Sequence, residues 1–218
     1  MILATIELQK IATRRSIWSD QIMQTIAKQS QKTYSPSEYL AQEVIAETRH
    51  EYVNGEIREM TGGKPNHNLI VLNLASTLHY ALKRQPYRAF VTDQRLWIPD
   101  RQIYTYPDVM VMAEPLQFQE GRRDTLINPV LIGEVLSDGT RGYDCGEKFA
   151  TYRTIVSLQE YLLIEQEQVG VMHYVKQAEH QWLLQEYTQL EEVIKLKLID
   201  LPISMNDLYD KVDFAIDS

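Results

Sequence analysis

Two carboxylates set inside apolar runs constrain this chain more than any other feature. Asp108 follows Pro107 and opens Asp-Val-Met-Val-Met, while Glu134 interrupts Pro129-Val-Leu-Ile-Gly-Glu-Val-Leu136. Short continuous apolar runs of this kind read as buried strands. An ionised carboxylate is costly to bury without a partner, so an acid in each of two adjacent strands asks for a cation. Two acids converging from neighbouring strands make a hard oxygen site suited to Mg²⁺ or Mn²⁺. Metal-assisted phosphodiester chemistry is the reaction class such a site suggests.

The 218 residues are enough for one well-buried domain. No apolar run approaches the ~18 residues of a membrane helix. The apolar start, Met1 to Ile6, is too short for a signal peptide and lacks a basic region. Cys145 is the single cysteine, which excludes a disulfide framework and a cysteine-based zinc site. A cytoplasmic globular protein is the expectation. The net charge of −8 argues against a nucleic-acid coat protein but not against a nuclease, whose metal site needs acids. The pairs Arg14-Arg15, Lys83-Arg84 and Arg122-Arg123 read as solvated surface charge.

Residues 1–33 have weak helical periodicity and form an N-terminal extension; 34–218 read as a single domain. Ser35 as cap, Pro36 at the first position and Glu38 three after the cap start a helix that runs to about Thr48. Asn54-Gly55, inside Tyr52–Ile57, signals a hairpin with a type I′ turn. A buried helix follows over about 66–83, then strands at 89–91, 96–98 and 109–112. A polar loop over 114–128 leads to the strand of Glu134, a loop over 137–143 and an amphipathic helix over 144–156. A strand at 161–164 precedes an antiparallel meander of 169–175, 182–187 and 193–198, with a short helix at 206–209. This order predicts an α/β (α+β) fold around a mixed sheet.

Asp144, Lys148 and Tyr152 recur every four residues and so share one face of the helix after Glu134. A lysine there can bring positive charge to a phosphate or to a metal-bound water. Simpler readings stand beside this one. Glu134 could pair with Lys148 or Arg141 without any metal, Asp144 and Lys148 could be an ordinary surface pair, and His67 could cap its helix. Gly-x-Ser-x-Gly, His-Glu-x-x-His and a phosphate-binding loop are all missing, which disfavours serine hydrolases, zinc proteases and nucleotide hydrolases.

Six pieces in order, Glu51-Tyr-Val-Asn-Gly-Glu-Ile, His67, Pro107-Asp108-Val, Gly133-Glu-Val-Leu-Ser137, Asp144…Lys148…Tyr152 and Glu160-Tyr-Leu-Leu-Ile, carry a resemblance. Over roughly residues 34–210 the chain resembles the Uma-two family, restriction-endonuclease-type members of the PD-(D/E)XK nuclease superfamily. The resemblance implies a restriction-endonuclease-like core, a central mixed sheet flanked by helices. It also implies DNA as substrate, Mg²⁺ (or Mn²⁺) as cofactor and a homodimer whose two sites cut both strands. It assigns Asp108, Glu134 and the main-chain carbonyl of Val135 to the metal. Leu136 stands where the superfamily has the lysine of Glu-x-Lys, and Lys148 is the natural substitute. Glu51 and His67 would be accessory groups in the cleft. Two rivals remain: a catalytically silent binding or assembly module on the same fold, and a phosphoesterase for RNA or nucleotides.

Overall fold

A computed structural model describes residues 32–60, 62–137, 142 and 144–215, with only the backbone at 144 and 145. The expected extension over 1–33 lies almost entirely outside the described residues, as do Arg141 and most of the loop over 137–143.

Asn54 and Gly55 both take positive φ, 50° and 97°, as a type I′ turn requires. The turn joins β1 (His50–Val53) to β2 (Glu56–Glu59). With β4 (Arg95–Ile98), β5 (Ile103–Thr105) and β7 (Thr125–Leu126) they form a five-stranded sheet in the order β2-β1-β5-β4-β7.

The second sheet has six strands. They are β3 (Tyr87–Val91), β6 (Val109–Ala113), β8 (Pro129–Leu136), β9 (Glu160–Glu165), β10 (Val171–Ala178) and β11 (Gln181–Tyr187). Their order is β11-β10-β9-β8-β6-β3, with β8 and β9 parallel and every other neighbour antiparallel, so the sheet is mixed.

Alternation along β6 and β8 divides the molecule into two cores. Val109, Val111, Leu131 and Val135 pack with Ile70, Leu74 and Leu78 of α2 (Pro65–Ala81). Met110, Met112, Ile132 and Leu136 pack on the opposite side with Leu96, Ile98 and Tyr152. Burial on both faces is why these strands are apolar throughout rather than alternating. Gly133 faces α2, and a Cβ there would lie 2.9 Å from Leu74 Cδ2, so its lack of a side chain lets the helix approach β8.

Several elements depart from the sequence expectation. The first helix, α1 (Pro36–Glu43), stops before Thr48 because Glu43 turns back to accept hydrogen bonds from both the backbone N–H and Nδ1 of His50. Val44 and Ile45, 67% and 82% exposed, have no core to face. In place of one helix over 144–156, a π-helical turn (Asp144–Lys148) runs into the single turn of α3 (Phe149–Tyr152). The chain then bends so that Ile155 and Leu158 enter the second core.

The expected meander breaks after β11: β12 (Val193–Leu196) pairs with β13 (Leu201–Ser204) in a separate hairpin. The buried Glu160 carboxylate anchors that hairpin by accepting from the N–H groups of Lys197 and Leu198. A last short helix, α4 (Met205–Leu208), lies against α2, where Asn73 Nδ2 donates to the carbonyls of Leu208 and Asp210 at 3.0 Å each.

Candidate active site

The site forms where β6 and β8 meet. Val109 pairs with Gly133 in this antiparallel ladder, so Asp108 and Glu134 face each other across it. Each acid is held by the other strand. The Asp108 backbone N–H donates to Glu134 Oε2 at 3.2 Å, and Val135 N–H donates to Asp108 Oδ2 at 2.8 Å. Glu134 is only 3% exposed and lies on the face opposite α2, among Ile132, Leu136 and Tyr152.

A carboxylate this deeply buried needs positive charge and donors, and both come from the segment that follows β8. Lys148 Nζ is 3.0 Å from Glu134 Oε1, and the Tyr152 hydroxyl donates to the same oxygen at 2.6 Å. The π-helical turn leads directly into α3, so Lys148 and Tyr152 reach one atom. Burial, with the neighbouring Glu134 charge, pushes the Tyr152 phenol well above its ordinary range and keeps it a hydroxyl donor.

β1 contributes a third acid. Glu51 Oε1 is 3.9 Å from Lys148 Nζ and accepts a hydrogen bond from the Thr105 hydroxyl. The register explains the second contact, since Tyr52 pairs with Tyr104 and the next pair outward is Glu51 with Thr105. α2 closes the other side with His67, whose Nε2 is 3.2 Å from Asp108 Oδ2. Gly63 lies against this ring: a Cβ there would be 2.7 Å from His67 Nδ1.

The electrostatics follow from these contacts. Burial alone would pull the His67 imidazole down, but the hydrogen bond and charge of Asp108, with Glu134 behind it, raise it above its ordinary value. For Asp108, burial acts upward and is outweighed by His67, the Val135 N–H and Lys148, which hold the carboxyl below its ordinary value.

All five side chains picked out from the sequence, Asp108, Glu134, Lys148, Glu51 and His67, therefore converge on one site. Thr105 was not legible as a member, because no motif marks a residue whose role depends on cross-strand register. Tyr152 reads from sequence as an aromatic at the edge of the core, and it is in fact fully buried on Glu134. His50, His79, His173 and His180 lie outside this contact network.

The donor set is all oxygen, as Mg²⁺ prefers. Among the described residues, no three His, Cys, Asp or Glu side chains are grouped to hold one ion. Mg²⁺ does not need such a group, since it keeps several waters and takes one or two protein carboxylates. Asp108 and Glu134, facing each other across β6 and β8, fit that requirement.

Comparison with known proteins shows the family to which the chain belongs. The pattern of the Uma2 (Uma-two) family, described as "Putative restriction endonuclease", matches residues 36–206. A Synechocystis sp. protein, "Uncharacterized protein sll1609", is 44% identical over 155 residues, 71% of this chain and 88% of that relative. A second from the same organism, "Uncharacterized protein slr1290", is 34% identical over 182 residues, covering 83% of this chain and 93% of the relative. The crystal structure of "a putative nuclease belonging to DUF820" from Anabaena variabilis superposes with a TM-score of 0.67 at 20% identity. It covers 81% of this chain and 97% of the other, and it carries the fold. No helix among the described residues is long and apolar enough to cross a membrane.

Proposed function

Because the chain belongs to the Uma2 family of putative restriction endonucleases, we propose that it is a divalent-metal-dependent endonuclease hydrolysing phosphodiester bonds in DNA. The observation that supports this most is the meeting of Glu134 and Lys148 at 3.0 Å beside Asp108, which brings two acids from adjacent strands together with a cation from the helical turn that follows. In this reading Asp108, Glu134 and the Val135 carbonyl would hold Mg²⁺ or Mn²⁺. Bound there, the ion would supply Lewis-acid stabilisation of the phosphate and lower the pKa of the attacking water.

The chain's own groups do the rest. Lys148 stands in for the lysine that Leu136 replaces, and its ammonium compensates charge developing on the phosphate oxygens. The position of an ammonium, not the element that carries it, is what that role requires. Glu51 helps to hold Lys148 beside Glu134, and His67 orients Asp108. A homodimer would present two such sites to the two strands of a duplex.

One observation favours a second reading. Glu134 Oε1 already receives both Lys148 and Tyr152, as a purely structural buried ion pair would. Plasmid cleavage with Mg²⁺ or Mn²⁺, comparing wild type with Asp108→Asn, Glu134→Gln and Lys148→Ala, separates the two. Metal-dependent nicking lost in both carboxylate variants supports the nuclease. An inert wild type that also shows no metal binding by calorimetry leaves a binding or assembly module.

A further inference from the structure

β3 ends the six-stranded sheet, with β6 on one side and an open edge on the other. In the β3–β6 ladder, Thr92 N–H donates to the Asp108 carbonyl and Glu114 N–H to the Pro86 carbonyl. Bonded pairs alternate along an antiparallel ladder, so Arg88 and Phe90 also bond to β6. Tyr87, Ala89 and Val91 therefore point their backbone groups away from it. The Val91 carbonyl accepts from the N–H groups of Asp93 and Gln94 in the turn that follows. The N–H groups of all three residues, and the carbonyls of Tyr87 and Ala89, have no partner among the described residues. An edge left open, without proline or bulge, is a template for another strand.

Beside this edge lies a groove of about 550 Å³, walled by Ala75, Ser76 and His79 of α2 and by Ala89, Phe90 and Val91. It continues past His79 toward Leu82 and Tyr87. Large apolar side chains stand exposed around it: Leu72 at 60%, Tyr80 at 74% and Val91 at 41%. Leu72, Ser76, His79 and Tyr80 recur at i, i+4, i+7 and i+8, one stripe of α2. Charge is divided along the edge. Lys83 and Arg84 are exposed near its Tyr87 end, and Asp93 is exposed beyond its Val91 end.

We infer that this edge and groove receive a second copy of the chain, β3 pairing antiparallel with the partner's β3 about a twofold axis at Ala89. Tyr87 of each copy then lies opposite Val91 of the other, and outward donors meet outward acceptors in bonded pairs. Tyr87 and Ala89 pack on the α2 side of the sheet, so the Tyr87 ring of one copy projects toward the groove of the other. The same pairing sets Asp93 opposite Gln85 of the other copy, beside its Arg84, and does so twice. A parallel pairing would set like charges together. The edge thus complements itself in hydrogen bonds, apolar side chains and charge, which selects a second copy over an unrelated strand. The inference assigns the surface that joins two copies, and it stands apart from the chemistry at Glu134.

The test is sedimentation velocity on the full chain in EDTA without nucleic acid, so that cleavage plays no part. Wild type is expected to sediment as a dimer. Asp93→Arg and Arg84→Glu should each raise the dimer dissociation constant roughly tenfold, because each change counts twice across the axis, and combining them should restore it. Far-UV circular dichroism should stay that of wild type throughout. Glu179→Arg, an exposed acid at the β10–β11 turn, should change nothing. With Cys145→Ser as background, Ala89→Cys should form a disulfide between copies under mild oxidation, since residues in a bonded pair have Cα atoms about 5.5 Å apart. Val91→Cys, which faces Tyr87 rather than itself, should not. A dimer indifferent to both charge reversals, with no cross-link at Ala89→Cys, would overturn the inference by placing the interface elsewhere. A monomeric wild type would also overturn it and leave the edge to a strand from another protein; neither result touches the nuclease reading.

Discussion

Asp108 and Glu134 are locked to each other through their strands: the N–H of Asp108 donates to Glu134 Oε2, and the residue after Glu134 donates its N–H to Asp108 Oδ2. Neither carboxylate can turn without breaking a bond to the opposite strand. A site that must hold reacting groups within a fraction of an ångström benefits from this arrangement.

Removing one member of the buried Glu134–Lys148 pair leaves the charge of the other less well compensated. With the two side chains 3% and 14% exposed, Glu134→Gln or Lys148→Met should each destabilise the fold by about 3 kcal/mol. The double variant should lose less than the sum, and urea denaturation of all four proteins yields the coupling energy. Additive losses would show that the pair does not act as a unit.

Tyr152→Phe removes one hydroxyl and no volume. Because that hydroxyl donates to an ionised carboxylate at 2.6 Å, the expected loss is about 1.5–3 kcal/mol in urea melts. A change within about 0.5 kcal/mol would mean that Glu134 does not depend on this donor.

Gly133→Ala tests the approach of α2 to the strand bearing Glu134. A Cβ 2.9 Å from Leu74 Cδ2 forces the helix or Leu74 to shift, at a cost of about 1–3 kcal/mol. Combining it with Leu74→Val makes room, so the double variant should be more stable than the two single losses predict. Strict additivity would place the strain elsewhere.

The His67–Asp108 pair sets a pH window. The folded value of His67 is raised above 6.5, so its contribution is fully present below pH 6.5 and is lost as pH rises through the folded value. The folded value of Asp108 lies below 3.8, so its contribution is present above that pH and is lost as pH falls through the folded value. Stability from the pair should therefore peak between about pH 4 and pH 6.5. The wild type minus His67→Asn difference, measured in EDTA across this range, checks it. Gly63→Ala, whose Cβ would crowd His67 Nδ1, should move the His67 titration seen by NMR toward 6.5.

Local chemistry decided the parts that depend on neighbours in sequence. Asn54-Gly55 specifies a turn with two left-handed residues, and the unbroken apolar runs of β6 and β8 specify strands covered on both faces. An acid within each of those runs asked for a counter-charge, and Lys148 and His67 are the side chains that reach Glu134 and Asp108. The contact partners were not readable in the same way. Thr105 reaches Glu51 only because Tyr52 pairs with Tyr104, and Tyr152 reaches Glu134 only because a π-helical turn precedes α3. The break between β11 and β12 likewise depends on Glu160 collecting two backbone N–H groups from 37 and 38 residues further along the chain. Propensity and periodicity act over a few residues, whereas register and the pairing of buried charges are settled only when distant segments pack, and the site is made of those pairings.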